Sequence, residues 1–334
     1  MDKSAQPQEQ EVDFSVIITC HFEEQSIDIF YERLSNTMKS LGRSYEIIFV
    51  NDGSTDKTFE KLRRIFDSDE RVTAVIDLFK NTGQANAKTP GVMIAKGKAM
   101  VVIDSDLQLD PEELPRLVSE YDKRYDIVTG YRKKRHDSIF RKLPSMLANV
   151  IMRKASGTKL RDFGCTFKIY DMRMVHAFEF GPFKPWRSVP VIAQAGRIAE
   201  VPVSHHSRQF LKSGWTFRKL FAYNMENIVN LSERPFQILG VLCLGIAIVG
   251  ILRLTVEMFF PIRLMPIVTT GMLLNVLVIG FLSIFAVLAA VGEFTIRNFI
   301  KLQYVPTYII REIYERKEEK RIQKVNMDQE QITK

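Results

Sequence analysis

Two apolar runs near the C-terminal end constrain this chain more than any other feature. From Phe236 to Phe260 the run FQILGVLCLGIAIVGILRLTVEMFF is interrupted only by Gln237, Arg253, Thr255 and Glu257, and from Ile267 to Val291 the run IVTTGMLLNVLVIGFLSIFAVLAAV carries no charge. Each is about 25 residues, where roughly 20 suffice for a helix to cross a bilayer. Nothing else in the chain has the apolar surface to sheath two such helices, and the intervening PIRLMP is short. The pattern predicts a transmembrane hairpin with helices over 236–260 and 267–291. Lys212, Arg218, Lys219 and Arg234 precede the hairpin, Arg297, Lys301 and Arg311 follow it, and the connecting loop offers only Arg263. Positively charged flanks stay on the cytoplasmic side. The expectation is a multi-pass protein of the inner (cytoplasmic) membrane with both termini cytoplasmic.

The polar start, MDKSAQPQEQEVD, lacks the apolar centre of a signal peptide and reads as a disordered tail over 1–13. Cys20, Cys165 and Cys243 form no CxxC pair, which suits a reduced cytosolic setting. The net charge of +8 is moderate; no nucleic-acid partner is expected.

From residue 14 to 210 short apolar runs alternate with helical patterns. FSVIITC, YEIIFV, VTAVID, AMVVI and DIVTG read as strands; Ile27, Phe30, Leu34, Met38 and Leu41 recur at helix spacing, and Lys57–Phe66, Gln84–Ala95 and DPEELPRLVSEY read as further helices. Such alternation predicts an α/β domain, a mostly parallel sheet with helices on both faces. Ligands of such sheets bind outside the carboxyl ends of the strands, where the acidic turns NDGSTD and DSDLQLD fall. Beyond Gly130, YRKKRHDSIFRK leads into a two-faced stretch at 139–151, and an amphipathic juxtamembrane segment is expected over 211–235. Basic two-faced segments next to membrane spans suit the bilayer interface. His205 and His206 read as a solvated pair. The tail over 292–334 mixes Lys, Arg and Glu, and its last forty residues read as a solvated helix with a frayed end.

The run VVIDSDLQLD places Asp104, Asp106 and Asp110 at the mouth of an apolar strand, where mutual repulsion costs stability. In an extended strand end Asp104 and Asp106 share a side, with Gln108 next in step. Hard oxygen donors so arranged suit Mg²⁺ or Mn²⁺, ions commonly held by one or two carboxylates together with substrate phosphates.

YEIIFVNDGSTDKT, KNTG, AKGKAMVVIDSDLQLDPEELP, DIVTGYR, RDFGCTFKIYD and AEVPVSHHSRQFLKSGWTFRKL stand in the order seen in polyprenyl-phosphate glycosyltransferases of glycosyltransferase family two, and the chain resembles that group from about residue 14 to the end of the hairpin. The resemblance implies a GT-A fold and transfer of one sugar from a nucleoside-diphosphate donor to a polyprenyl phosphate lipid. Glucose, N-acetylglucosamine, mannose, galactose-type and aminoarabinose-type donors all have relatives on this scaffold, and a UDP-linked hexose, glucose first, is the preferred expectation among them. By the same resemblance Asp52 would contact the uracil, Thr19 and Glu23 would line the nucleotide pocket, and Asp104 would sit beside the ribose and diphosphate. Asp104, Asp106 and Gln108 would hold the metal. Arg132, Arg141 and Ser145 match positions that hold the acceptor phosphate; Arg208 and Lys219 match a basic motif closing over the donor phosphates. Asp162 matches an acidic position near the sugar, to orient a substrate or act as a base, and counts with Asp106 as catalytic. The chain departs from the pattern where Thr19-Cys20-His21-Phe22-Glu23 replaces Pro-x-Tyr-Asn-Glu, where NDGS replaces DDGS, and where Leu109 replaces an acidic residue.

Two other functions compete. A processive polysaccharide synthase would share the catalytic core but carry QxxRW and more spans, and neither is present. A non-catalytic membrane scaffold would have no need of Asp104, Asp106, Gln108, Arg132 and Arg208 together. The RKKR cluster fits an anionic-lipid patch as well as acceptor binding. A membrane-anchored homo-oligomer is compatible with the pattern.

Overall fold

The computed structural model describes residues 12–133, 152–153, 156–207 and 305–316, together with single helical positions between 277 and 299. The chain divides into two compact units, Met1–Asn227 with Pro306–Lys334, and Ile228–Val305. The expected span at 236–260, the 211–235 segment and the end of the chain lie outside the described residues, as does most of 267–291. Among the described residues no helix is long and apolar enough to cross a membrane. In the second unit Leu277, Phe281, Ile284, Phe285 and Leu288 are helical, and each is more than half exposed. Their spacing places them along one helical stripe.

The first unit is built on an eight-stranded sheet. Its strands are β1 (Phe14–Cys20), β2 (Tyr45–Asn51), β3 (Val72–Leu78), β4 (Ala99–Val102), β5 (Ile127–Arg132), β6 (Lys168–Asp171), β7 (Ile198–Val203) and β8 (Ile310–Glu315). Their spatial order is β7-β5-β6-β4-β1-β2-β3-β8. The neighbouring strands β4, β1, β2 and β3 run parallel, Phe14 lying opposite Tyr45 on one side and opposite Ala99 on the other. β6 is antiparallel to both β4 and β5, and β7 is parallel to β5. This is the mostly parallel α/β sheet that the alternation predicts.

Burial on both faces explains the near-continuous apolar strands. Val16, Ile18, Ile47, Phe49 and Val101 face the helices α1 (Ile27–Ser40), α2 (Thr58–Ser68) and α4 (Leu114–Tyr121), and pack with Phe30, Leu34, Met38, Leu62, Leu114 and Leu117. Ile17, Ile48, Val50, Ala74, Met100 and Val102 face the other way, toward α3 (Gln84–Ile94) and Trp186. A Cβ on Gly91 of α3 would lie 2.9 Å from the Ile17 side chain, so the small residue lets this helix lie close on the sheet.

Two expectations are corrected. Residues 310–315 are an edge strand antiparallel to β3, with Tyr314 opposite Val75 and Ile313 opposite Ile76, not part of a solvated helix. Ile310, Ile313 and Tyr314 favour a pleated surface, Tyr314 packs on the core beside Phe59 and Phe66, and the strand covers an edge that would otherwise be bare. The second correction concerns the carboxylates. β4 ends at Val102, and residues 103–110 form a bent loop, so Asp104, Asp106 and Gln108 do not alternate along an extended strand. Leu107 adopts φ +57° and is 3% exposed. A non-glycine residue there costs about 1–2 kcal/mol, and the burial of Leu107 and Leu109 in the core offsets it.

Candidate active site

A crevice is expected where the order of a parallel sheet reverses. Here that point is β1, flanked by β2 and β4. Thr19 near the end of β1, the 51–54 turn after β2 and the 103–110 loop after β4 all gather at these carboxyl ends.

On the β2 side Asp52 holds two turns together. Its Oδ1 accepts hydrogen bonds from the Thr82 N–H (2.7 Å) and hydroxyl (2.9 Å), and its Oδ2 accepts one from the Gly83 N–H (3.0 Å). Gly53 has φ +65°, and a Cβ there would lie 2.4 Å from the Lys80 carbonyl carbon. Only glycine lets NDGS and KNTG touch. Thr19 is 9% exposed, and its hydroxyl has no hydrogen-bond partner among the described residues, a cost unless a ligand supplies one. Glu23 is buried; its carboxylate accepts from the Ser26 hydroxyl, and its carbonyl from the N–H groups of Ser26 and Ile27. The Glu23 side chain is thus engaged at the start of α1.

On the β4 side, Asp104 Oδ1 accepts from the Gln84 side-chain amide and Oδ2 from the Thr166 hydroxyl at 2.7 Å, while Lys88 Nζ lies 3.8 Å from Oδ1. Asp106 Oδ1 accepts from the Gln108 N–H at 3.2 Å. The Gln108 side chain donates through Nε2 to the His206 carbonyl at 3.3 Å, which leaves its Oε1 as the oxygen for another ligand. Among the described residues no three His, Cys, Asp or Glu side chains gather closely enough to hold a metal by themselves. Two carboxylates and an amide oxygen nevertheless fit a hard divalent ion that takes its remaining oxygens from substrate and water.

Asp110 belongs to a different arrangement. Arg33 Nη2 reaches its Oδ1 at 2.6 Å and His206 Nε2 reaches its Oδ2 at 2.7 Å; Arg33 also pairs with Glu112. Burial raises the Asp110 pKa, but the hydrogen bonds from His206 and Arg33 outweigh it and hold the carboxyl below its usual range. This carboxylate is satisfied within the protein, and His206 is one of its partners rather than half of a solvated pair. His206 and Gln108 also bond through their backbones at 2.9 Å, tying the acidic loop to the segment after β7.

On the β5–β6 side Arg132 and Asp162 form a two-pronged ion pair, Nε to Oδ2 at 2.7 Å and Nη2 to Oδ1 at 2.8 Å. Their side chains are 15% and 8% exposed. Asp162 Oδ1 also accepts from the Gly164 N–H at 3.1 Å, which bends its own loop. Behind it Lys168, fully buried, donates to the carbonyls of Cys165 and Phe163. Burial pushes the Lys168 pKa down. Arg141, Ser145, Arg208 and Lys219 lie outside the described residues.

The structure thus places Asp104, Asp106 and Gln108 on one loop and pairs Arg132 with Asp162. The sequence reading missed Gln84, Lys88, Thr166 and Lys168. A signal for the first two existed: positions 84, 88 and 91 fall on one helical face, and a lysine within a sheet-facing stripe that ends in Gly91 is out of place unless it has a partner.

Residues 15–178 match the family model described as Glycosyl transferase family 2. The chain is 31% identical over 320 residues to dodecaprenyl-phosphate galacturonate synthase of Rhizobium johnstonii, covering 92% of this chain and 94% of that one. It is 31% identical over 308 residues to undecaprenyl-phosphate 4-deoxy-4-formamido-L-arabinose transferase of Photorhabdus laumondii, covering 90% and 93%. Among solved structures, glucosyl-3-phosphoglycerate synthase from Mycobacterium tuberculosis superposes with a TM-score of 0.49 at 17% identity, over 65% of this chain and 77% of that one. The chain belongs to glycosyl transferase family 2, and within it to the polyprenyl-phosphate glycosyltransferases.

Proposed function

We propose that this protein transfers one sugar from a UDP-linked donor to a polyprenyl phosphate, with inversion at the anomeric carbon, while anchored in the inner membrane by its C-terminal apolar hairpin. The observation that carries the reading is the Asp104–Asp106–Gln108 loop on the same sheet end as the Arg132–Asp162 pair. One offers oxygens for a cation that accompanies a diphosphate, the other a guanidinium suited to an anionic acceptor. The relatives named above support the reaction class.

Thr19 and the 51–54 turn would take the nucleoside, with Asp52 fixing the loop that carries Gln84. Arg208 and Lys219 would add charge against the donor phosphates, and Arg141 and Ser145 would join Arg132 on the acceptor phosphate. A Mg²⁺ or Mn²⁺ ion held by Asp104, Asp106 and Gln108 would offset charge on the departing nucleoside diphosphate. The acceptor oxygen is already anionic near neutral pH, so attack on the anomeric carbon needs no strong base. With both its oxygens engaged by Arg132, Asp162 serves best to align that guanidinium. Transfer is non-processive in this reading.

The hairpin over 236–260 and 267–291, the interface segment over 211–235 and cytoplasmic termini belong to the same proposal. The exposed apolar stripe from Leu277 to Leu288 suits lipid surroundings. The test is a transfer assay with the detergent-purified protein, undecaprenyl phosphate, Mg²⁺ or Mn²⁺ and radiolabelled nucleotide sugars. The panel begins with UDP-glucose and includes UDP-galacturonate and a UDP-linked 4-deoxy-4-formamido-arabinose. Label entering the lipid fraction, and lost with Asp106→Ala or EDTA, is the expected result. Silence from protein that still binds UDP would reject the acceptor class or every donor tried.

A further inference from the structure

Lys88 is a cation that the reaction as described does not use. It sits in the second turn of α3, 6% exposed, with its ammonium 3.8 Å from Asp104 Oδ1. That ion pair is its one polar contact among the described residues, and the distance exceeds a hydrogen bond. An ammonium carries three donors, so the buried group is under-satisfied. Burying a charge in this way is costly unless it is paired and hydrogen-bonded.

The geometry says where the missing partner comes from. α3 starts at the carboxyl end of the sheet, where the Gly83 N–H meets Asp52 and Gln84 reaches Asp104. Lys88 lies one turn further along the same face. Helical side chains tilt toward the N-terminus of their helix, so Lys88 reaches back up toward the rim and meets Asp104 from below. Asp104 does not depend on it, because Gln84 and Thr166 already occupy its two oxygens. What remains is a positive floor beneath a crevice whose ligand carries negative charge.

We propose that Lys88 is a donor-recognition residue whose ammonium binds an anionic oxygen of the nucleotide sugar on the floor beside Asp104. The inference rests on the glycosyltransferase reading above and extends it to a residue outside the matched motifs. Two parts of a donor carry such an oxygen: the diphosphate, and a carboxylate on the sugar ring. The shared chemistry is a charge-assisted hydrogen bond to an anion, of a kind whose loss weakens binding about 10- to 100-fold.

The test is calorimetric titration of the full-length protein in detergent with UDP, UDP-glucose and UDP-galacturonate, for wild type, Lys88→Met and Lys88→Arg. Methionine keeps most of the length of the side chain and removes the charge; unliganded melting curves establish that each variant is folded, and Lys88→Gln replaces the methionine variant if it is not. Equal weakening of all three ligands by Lys88→Met, with recovery in Lys88→Arg, places the diphosphate on Lys88. Weakening confined to UDP-galacturonate places the sugar carboxylate there, and makes Lys88 a specificity determinant for acidic sugars. Unchanged affinity for all three in a folded Lys88→Met overturns the proposal and leaves Lys88 a counter-ion for Asp104. A wild type that binds none of the ligands would instead overturn the glycosyltransferase reading on which the proposal stands.

Discussion

Replacing Asp162 by asparagine separates alignment from proton transfer. The Asp162 carboxylate meets the Arg132 guanidinium at 2.7 and 2.8 Å, with the two side chains 8% and 15% exposed. Removing one charge from a buried pair strands the other and costs about 3–5 kcal/mol. Asparagine keeps the shape and one acceptor oxygen, which places the cost near the lower figure of about 3 kcal/mol. For a domain of this size that lowers the melting temperature by about 6–12 °C. Because the amide cannot hold both prongs, Arg132 loses its orientation. The acceptor KM should then rise about tenfold or more, the equivalent of about 1.4 kcal/mol, while UDP affinity is unchanged. Lysine at position 132 should not repair the defect, since an ammonium cannot form the fork. The assay is thermal unfolding beside initial rates at varied polyprenyl phosphate. A collapse of kcat at unchanged acceptor KM, with a rate in wild type that rises through a carboxyl titration, would refute alignment in favour of a base. An unchanged melting temperature would refute the energetic argument.

Other outcomes follow from contacts further out. Arg33→Ala should make the melting temperature less sensitive to acid. Glu112 is held below its usual range by its Arg33 hydrogen bonds, and Asp110 is lowered by His206 and Arg33 against the effect of burial. Groups with depressed pKa stabilise the fold above their ordinary value of about 4 and lose that contribution as pH falls. Both are partly exposed, so each effect is under about 1 kcal/mol, and melting curves from pH 7 to pH 3 should read a shallower decline in the variant. Arg311→Met strips the 3.0 Å partner from Asp77, a carboxylate 2% exposed that also accepts from Asn51. It should cost about 1–3 kcal/mol, and Asp77→Asn in the same chain should recover part of the loss. Lys168→Met leaves the buried Cys165 carbonyl and the half-buried Phe163 carbonyl without their shared donor. Urea unfolding should show a loss of about 1–3 kcal/mol, and the acceptor KM should rise because the same loop carries Asp162.

The legible parts of the fold were those set by local pattern. Five apolar runs gave five strands because both faces of the sheet are covered, and Ile27, Phe30, Leu34 and Met38 marked α1 because its buried face has helical spacing. β8 was illegible because charges surround its three sheet-forming residues, and its pairing partner lies more than 230 residues earlier. The acidic loop was legible in composition and not in shape. Alternation assumes an extended chain, whereas Leu107 and Leu109 both turn inward and bend it. Asp110 and Asp104 look alike in sequence; only the positions of Arg33, His206, Gln84 and Lys88 in space assign one to the scaffold and the other to the crevice.

The edge strand β8 also imposes a parity rule. The chain leaves the catalytic sheet after β7 and rejoins it at β8, beside β3, so whatever crossings the intervening residues make must be even in number. In the proposed two-span topology, deleting a single apolar run would strand β8 in the opposite compartment and leave β3 uncapped. The rule has a temporal side. About a hundred residues separate β7 from β8, a stretch that takes roughly 5–20 s to synthesise. Through that interval the sheet waits with one edge open, and its last strand arrives only once the apolar runs have been synthesised.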